Sequence, residues 1–441
     1  MKRAVSVDGS VLEGGGQILR VSIALSSLLS IPLEIKNIRG NRPKPGLAAQ
    51  HLTSVNAASV IVNGELEGCE FRSSTLSFTP NSSQNVAKIT HNSFSFEVGT
   101  AGAVSLVIQA MLPGFLFGAR DLKCCPRVDV IGGTNVAFSP PIDHTIHVLL
   151  PLLCRMGIPT ETECRIVRRG WNPSGGGQVS LYSPTVTSVG AAGLSLSPTG
   201  TPGGQDRVLG AIDLAEAGTP VVVRGVICSN TDNAAVMEAG RSALLHMLRD
   251  PQHQALFPAG IPVDIDIDVG QSENQTARSV FRAAGSSNSR GSDNHCGGGG
   301  GGGSSKGGSK SCEVSIQLWV ETTTGCRLSR NVLQNLKKPT PAAMAAVCEK
   351  LFSALVDLVA SGATVDEHTA DQLLVFMALA NAPSRLLVEP HDSAVSSLHI
   401  ETSIFIVEKF LRCKVFDMRA VGAGGAGCRL ITCTPVPVSM N

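Results

Sequence analysis

Two stretches, "QILRVSIALSSLLS" starting at Gln17 and "TAGAVSLVIQAMLP" starting at Thr100, are apolar on nearly every face of a helix. A helix of that kind cannot lie half in water and must be buried between layers of other structure. Around them, β-branched runs such as "PLEIKNIRG", "RVDVIGG", "PVVVRGVIC", "PVDIDIDV" and "EVSIQLWV" alternate with helical patterns such as "PGLAAQHLTSVNAASVIV" and "IDHTIHVLLPLLCRMG". That order predicts an α/β (α+β) protein rather than a sandwich or a bundle. Hydrophobic residues make up 43% of the chain but aromatics only 4%, so the core must be aliphatic.

A chain of 441 residues suggests one large domain carrying an insertion, or two to three units. Residues 183–206 are rich in Ser, Thr, Pro and Gly and read as a connection. Residues 284–311 hold seven consecutive glycines and almost no apolar side chain, a composition that predicts a disordered loop. This loop interrupts two strand-like runs of a small domain, 205–361, which ends in the helical pattern "PAAMAAVCEKLFSALVDLVAS". The large domain is then discontinuous, 1–204 and 362–441. His295 and Cys296 within the loop are bystanders, because two potential ligands in a floppy stretch make a poor metal site.

The formal charge of +1 advertises no polyanion, so any such site must come from locally clustered Arg and Lys. No run approaches the roughly 18 apolar residues of a membrane span. The start "MKRAVSVDGS" carries no signal-type apolar stretch. Thirteen cysteines without a CxxC read as reduced thiols of an intracellular protein, nuclear or cytoplasmic, without structural zinc.

Polar groups concentrate in four places. In "EGGGQILR", Glu13, Gln17 and Arg20 share a face if the helix begins near Glu13, and the glycine N–H groups would suit an anion. In "IRGNRPKPGLAAQH", Arg39, Arg42 and Lys44 crowd around stiffening prolines, with Gln50 and His51 on the next helix. The third, "RRGWNPSGGGQV", repeats the glycine triplet beside Arg168 and Arg169. The fourth is a pair of helix openings: Asp366, Glu367, His368, Asp371 and Gln372 in one, and His399, Glu401 and Thr402 after a strand-like "AVSSL" in the other. Neither a P-loop nor a Rossmann fingerprint is present.

Arg169 to Val179, "RGWNPSGGGQV", matches the signature of the RNA 3′-terminal phosphate cyclases. "DGSVLEGGGQILR", "NRPKPGLAAQHL", "GTAGAVSLVIQAMLP", "DEHTADQLLVFMALA" and "HIETSIFIVEKF" resemble that family's other blocks in the same order. The resemblance implies a large domain of three repeated units, each a four-stranded sheet with two helices, plus a smaller inserted α/β domain. It would make the two glycine triplets corresponding corners of repeated units, the second of them architectural.

The resemblance also implies an activity. ATP would convert an RNA 3′-phosphate to a 2′,3′-cyclic phosphodiester, through AMP attached first to a histidine and then to the RNA. Block matching places the nucleophile at His399. Contacts to ATP and phosphate would come from Gln17, Arg20, Arg39, Arg42, Gln50, His51, Gln109, Asp371 and Gln372, and Glu13 would hold a divalent metal, Mg2+ or Mn2+. His368 stands where the family often has Tyr, so its imidazole would stack on adenine, and it is a rival nucleophile. Two other readings share the fold: a non-catalytic cyclase-like factor of ribosome biogenesis, and a transferase acting on a small phosphorylated metabolite. His399 and the intact "NRPKPGLAAQH" stand against the first.

Overall fold

The computed structural model describes residues 3–80, 93–117, 127–183, 209–269, 312–390, 394–421 and 427–435. The expected connection at 183–206, apart from Ser183, and the whole of the expected loop at 284–311, with His295 and Cys296, lie outside the described residues.

The first unit runs β1 (Val5–Asp8), α1 (Gly16–Leu29), β2 (Leu33–Lys36), α2 (Ala49–Ile61), β3 (Glu65–Glu67) and β4 (Leu76–Thr79). The second runs β5 (Ser93–Glu97), α3 (Val104–Phe117), β6 (Arg127–Gly132), then α4 (Ile142–His144), a π-helical turn and α5 (Leu150–Arg155), then β7 (Glu163–Arg168) and β8 (Gly177–Tyr182). The short β9 (Asp213–Leu214) follows. After it come β10 (Pro220–Ser229), α6 (Ala234–Arg249), β11 (Val263–Val269), β12 (Cys312–Thr322), β13 (Arg327–Leu336) and α7 (Pro341–Ala360). The chain closes with α8 (Glu367–Met377), β14 (Ser384–Val388), α9 (Ala394–Leu411), β15 (Phe416–Ala420) and β16 (Arg429–Cys433).

Strand pairing sorts these elements. The sheets β1-β2-β4-β3, β5-β6-β8-β7 and β9-β14-β16-β15 share one plan. In each, the first two strands are parallel and the other pairings antiparallel. The fourth sheet, β11-β10-β12-β13, follows a different order. The protein is therefore a thrice-repeated α/β unit, with a separate α/β element inserted between the first strand and first helix of the third repeat. The expected start of the insertion at 205 is too early, because Asp213 and Leu214 pair with Arg385 and Leu386 of the third sheet.

The glycine triplets are not corresponding corners either. The first links β1 to α1, whereas the second forms the turn between β7 and β8. Its role is architectural, as expected. A Cβ on Gly175 would lie 2.5 Å from the Thr100 carbonyl oxygen, and one on Gly177 would lie 2.4 Å from the Gly170 nitrogen. Gly175 and Gly176 also sit at φ +70° and +71°, where a side chain is strained.

One aliphatic core runs through all three repeats and a second fills the insertion. Helix α1 is buried along its length from Gln17 to Leu29 and packs on α2, α3 and α9. Its apolar character all round is thus explained by helices from every repeat covering it. Among the described residues no helix is long and apolar enough to cross a membrane.

The insertion is fastened to the second repeat by Arg169. Its guanidinium grips both oxygens of Asp143 at 2.7 and 2.9 Å, and its Nε donates to Asp268 on β11 at 2.7 Å. Burial would weaken the charge on Arg169, but the two carboxylates more than offset this and raise its pKa. Removing the fork leaves Asp143, itself buried, without its counter-ion. Arg169→Ala should therefore cost about 3–5 kcal/mol in denaturant unfolding. Asp268→Asn, at the more exposed end of the pair, should cost clearly less.

Candidate active site

The polar start of α1 meets the third repeat at one amide. Gln17 Nε2 donates to Asp371 Oδ2 on α8 at 2.8 Å and to Ser403 Oγ on α9 at 2.9 Å. On the other side, Gln17 Oε1 accepts from Arg20 Nη2 at 3.2 Å and from His399 Nδ1 at 3.3 Å. Arg20 in turn donates Nε to Gln109 Oε1 on α3 at 2.8 Å. Arginine has only donors, so the Gln17 atom facing Arg20 must be the oxygen. The His399 nitrogen facing that same oxygen must then carry the proton. This assignment leaves Nε2 of His399 with a free lone pair.

Charge and burial reinforce that state. Burial, then Arg20, His368 and Arg42, lower the His399 pKa to about 4, so the ring is neutral at pH 7. Burial, Arg20 and Arg39 similarly lower His51 to about 3. Burial raises the Asp371 carboxyl to about 7, against the opposing pull of Gln17 and Arg20. Burial brings Arg20 down to about 10, which still leaves it cationic.

The glycine triplet makes room for these groups. Gly14 takes φ +59°, the left-handed region. A Cβ on Gly15 would fall 2.6 Å from the Arg42 guanidinium, and one on Gly16 would fall 2.6 Å from His51 Nε2 and 2.8 Å from Arg20 Nη1. Glu13 lies before the helix rather than on it, since α1 begins at Gly16. Its carboxylate turns back, taking the Gly15 N–H on Oε2 and pairing with Arg42 through Oε1.

The other expected residues fall into two groups. His51 accepts the Ala48 N–H at the start of α2, and Gln50 accepts the Ala103 N–H, joining the first repeat to the segment entering α3. Arg39 donates to the Gly46 carbonyl at 2.9 Å, bracing its own loop. Gln372 donates to the His368 carbonyl, yet it lines a small cavity with Arg20, Gln109 and Asp371. His368 is half-buried, edge-on to His144 with ring centroids 5.9 Å apart. One expectation is corrected: His399 does not open its helix. Helix α9 begins at Ala394, so the strand-like "AVSSL" is its first turns.

This constellation sits on a chain whose relatives are known. A family model described as RNA 3′-terminal phosphate cyclase matches residues 11–416. The chain belongs to the RNA 3′-terminal phosphate cyclase family. It is similar to a Pyrobaculum neutrophilum protein named RNA 3′-terminal phosphate cyclase, 32% identical over 95% of this chain and 96% of that one. A Pyrococcus furiosus protein of the same name is 30% identical over 96% of each. An Archaeoglobus fulgidus cyclase reaches 44% identity over 40% of this chain and 50% of its own length.

Sequence reasoning had no means of choosing several residues of this cyclase-family site. Ser403 became a partner of Gln17 only through the packing of α9 on α1. His144 is buried against Asp366 and Thr369, at 3.3 and 3.1 Å, and looked like an ordinary helix residue in "IDHTIHVLL". Asp366 stands at a helix opening in the sequence, but neither its role as the N-cap of α8 nor its contact with β13 was visible.

Two outcomes follow from this geometry. By NMR, His399 should titrate near 4, and in Gln17→Glu it should move back toward the ordinary value of 6.5, because a carboxylate attracts the imidazolium. An unchanged titration would mean that the Gln17 oxygen does not face the ring. Gly16→Ala should cost about 1–3 kcal/mol in thermal or denaturant unfolding, by forcing His51 and Arg20 aside.

Proposed function

We propose that this chain converts the 3′-terminal phosphate of RNA to a 2′,3′-cyclic phosphodiester, consuming ATP through a covalent AMP adduct on His399. The observation that carries the proposal is the set of hydrogen bonds around Gln17, which leaves Nε2 of His399 deprotonated and nucleophilic at neutral pH. Neutral imidazole attacks phosphorus readily, and the resulting phosphoramidate passes its group onward. The family's named activity supplies the RNA substrate.

In the first step Nε2 attacks the α-phosphorus. The P–N bond forms as the α–β phosphoanhydride breaks, and pyrophosphate leaves. The proton stays on Nδ1, which keeps donating to Gln17 Oε1, and the partial negative charge of that oxygen stabilises the imidazolium so formed. An oxygen of the RNA 3′-phosphate then attacks the same phosphorus, the P–N bond breaks, and neutral His399 is restored. Finally the 2′-OH attacks the 3′-phosphorus, its proton passes to solvent water, and the bond to AMP breaks as AMP leaves. Arg20, Arg39 and Arg42 would meet the phosphates through their planar forks, and His368 would stack on the base.

For a divalent metal the donor set is small. Among the described residues no group of three or more His, Cys, Asp or Glu stands ready for an ion. Mg2+ does not need one, because it is held commonly by one or two carboxylates together with substrate phosphates. The buried carboxylate of Glu13 fits that role, and its partner Arg42 is exposed enough to turn toward a phosphate instead. Such an ion would supply neutralisation of phosphate charge.

Incubation with ATP labelled at the α-phosphate should give a protein adduct that is acid-labile and base-stable. His399→Ala should abolish the adduct and cyclisation together, leaving the fold intact. His368→Ala should weaken ATP use while retaining adduct. An adduct that survives in His399→Ala but not in His368→Ala would reverse the two roles. No adduct in any form would favour the non-catalytic binding factor.

A further inference from the structure

We propose that Phe71 and Arg72 form a platform for the RNA strand upstream of its 3′-phosphate, the aromatic ring stacking on a base and the guanidinium meeting the backbone. This inference rests on the proposed RNA substrate and adds to it a subsite outside the reacting centre.

Three observations on one surface carry it. First, Phe71 is 63% exposed, in a chain that has only 14 Phe, 2 Trp and 1 Tyr. Arg72 lies over its ring, with Cζ 5.7 Å from the centroid. An exposed aromatic with an arginine beside it is the pairing used to stack nucleobases without regard to sequence.

Second, Arg72 holds φ +66°, a backbone region that residues with side chains rarely adopt. The surroundings impose it. Arg72 N donates to the Leu47 carbonyl at 2.8 Å, and Leu47 N donates to the Ser73 carbonyl at 3.0 Å. Gly46 approaches so closely that a Cβ there would lie 2.3 Å from the Arg72 carbonyl oxygen. Strain of this kind persists where the fold over-determines it, and it fixes the direction of the side chain.

Third, these same contacts tie the platform to the site. Arg72 and Ser73 are held to Gly46 and Leu47, at the foot of the loop that presents Arg42 and Lys44. Arg42 pairs with Glu13 beside His51 and Arg20. Lys44 and Arg72 are exposed and make no ion pair among the described residues. Two unpaired cations beside a loop whose Arg42 reaches Glu13 suit a single strand whose terminal phosphate is bound at that site. With net charge of only +1, the attraction must be local.

The test uses the full chain and 3′-phosphorylated oligoribonucleotides of two and ten nucleotides. Phe71→Ala should weaken binding of the ten-nucleotide strand about tenfold, as expected for one lost stacked base, and leave the dinucleotide unaffected. Phe71→Trp should restore it. Arg72→Gly, which also relieves the backbone strain, should reduce the salt dependence of log Kd by about 0.7, the share of one phosphate contact on a single strand. Labelling of both variants by ATP in the absence of RNA should match the parent. Equal affinity of parent and Phe71→Ala for the longer strand, or equal losses on both lengths, would overturn the platform. The two readings separate cleanly. A length-dependent loss of binding supports the platform even if no adduct forms, whereas normal adduct with length-independent binding removes the platform and keeps the enzyme.

Discussion

The site depends on the orientation of one side-chain amide. Gln17 spends both donors and both acceptor positions, on Asp371, Ser403, Arg20 and His399, which come from α1, α8 and α9. Because Arg20 can only donate, the amide has a single consistent orientation, and the His399 tautomer follows from it. Arg20 extends the chain of contacts to Gln109 on α3, so all three repeats meet at the first turn of α1. The hydrophobic burial of α1 brings the backbones together; the amide decides which proton sits where.

The same region shows how burial and charge combine. Burial, reinforced by Arg20 and neighbouring cations, lowers the pKa of His399 to about 4 and of His51 to about 3, so both rings are neutral at pH 7. Arg20 keeps its charge because Asp371 opposes the cost of burial. A nucleophilic imidazole needs this balance: enough positive charge nearby to suppress its own protonation and to receive phosphate oxygens, without a carboxylate facing the ring that would raise its pKa. Glu13 is engaged by Arg42 and the Gly15 N–H, and Glu367, whose carboxylate does raise the His399 pKa, is outweighed by burial and Arg20.

Much of this was legible in the sequence where a local rule governs. The all-round apolar helices, the polar helix opening at Asp366 and the aliphatic core follow from periodicity and composition. What was not legible depends on long-range packing. Whether "AVSSL" forms strand or helix is undecided locally, and the tertiary environment of α9 makes it helix, which moves His399 one turn and more into the element. The pairing of Asp213 and Leu214 with β14 joins residues about 170 positions apart, so no pattern near 205 could mark the true edge of the insertion. The two glycine triplets look alike in sequence but answer different demands: one clears space for charged side chains, the other for crossing backbones.

The insertion is also closer to the chemistry than its position in the chain implies. It leaves the third repeat after β9 and returns at α8, the helix whose first turn carries His368 and Asp371. Asp366 caps that helix, accepting the Thr369 N–H at 2.8 Å, while its other oxygen accepts from Ser329 Oγ on β13 at 2.7 Å. Burial opposes its ionisation, but the facing His144 of the second repeat outweighs this and holds the carboxyl well below the usual range. One buried carboxylate therefore joins the insertion, the second repeat and the start of α8. Displacing the insertion would pull on the cap of the helix that orients Asp371 against Gln17. The repeat tolerates a long excursion at this point because its return is fixed by charge and hydrogen bonding, and that same fixation couples the inserted sheet to Asp371 and Gln17.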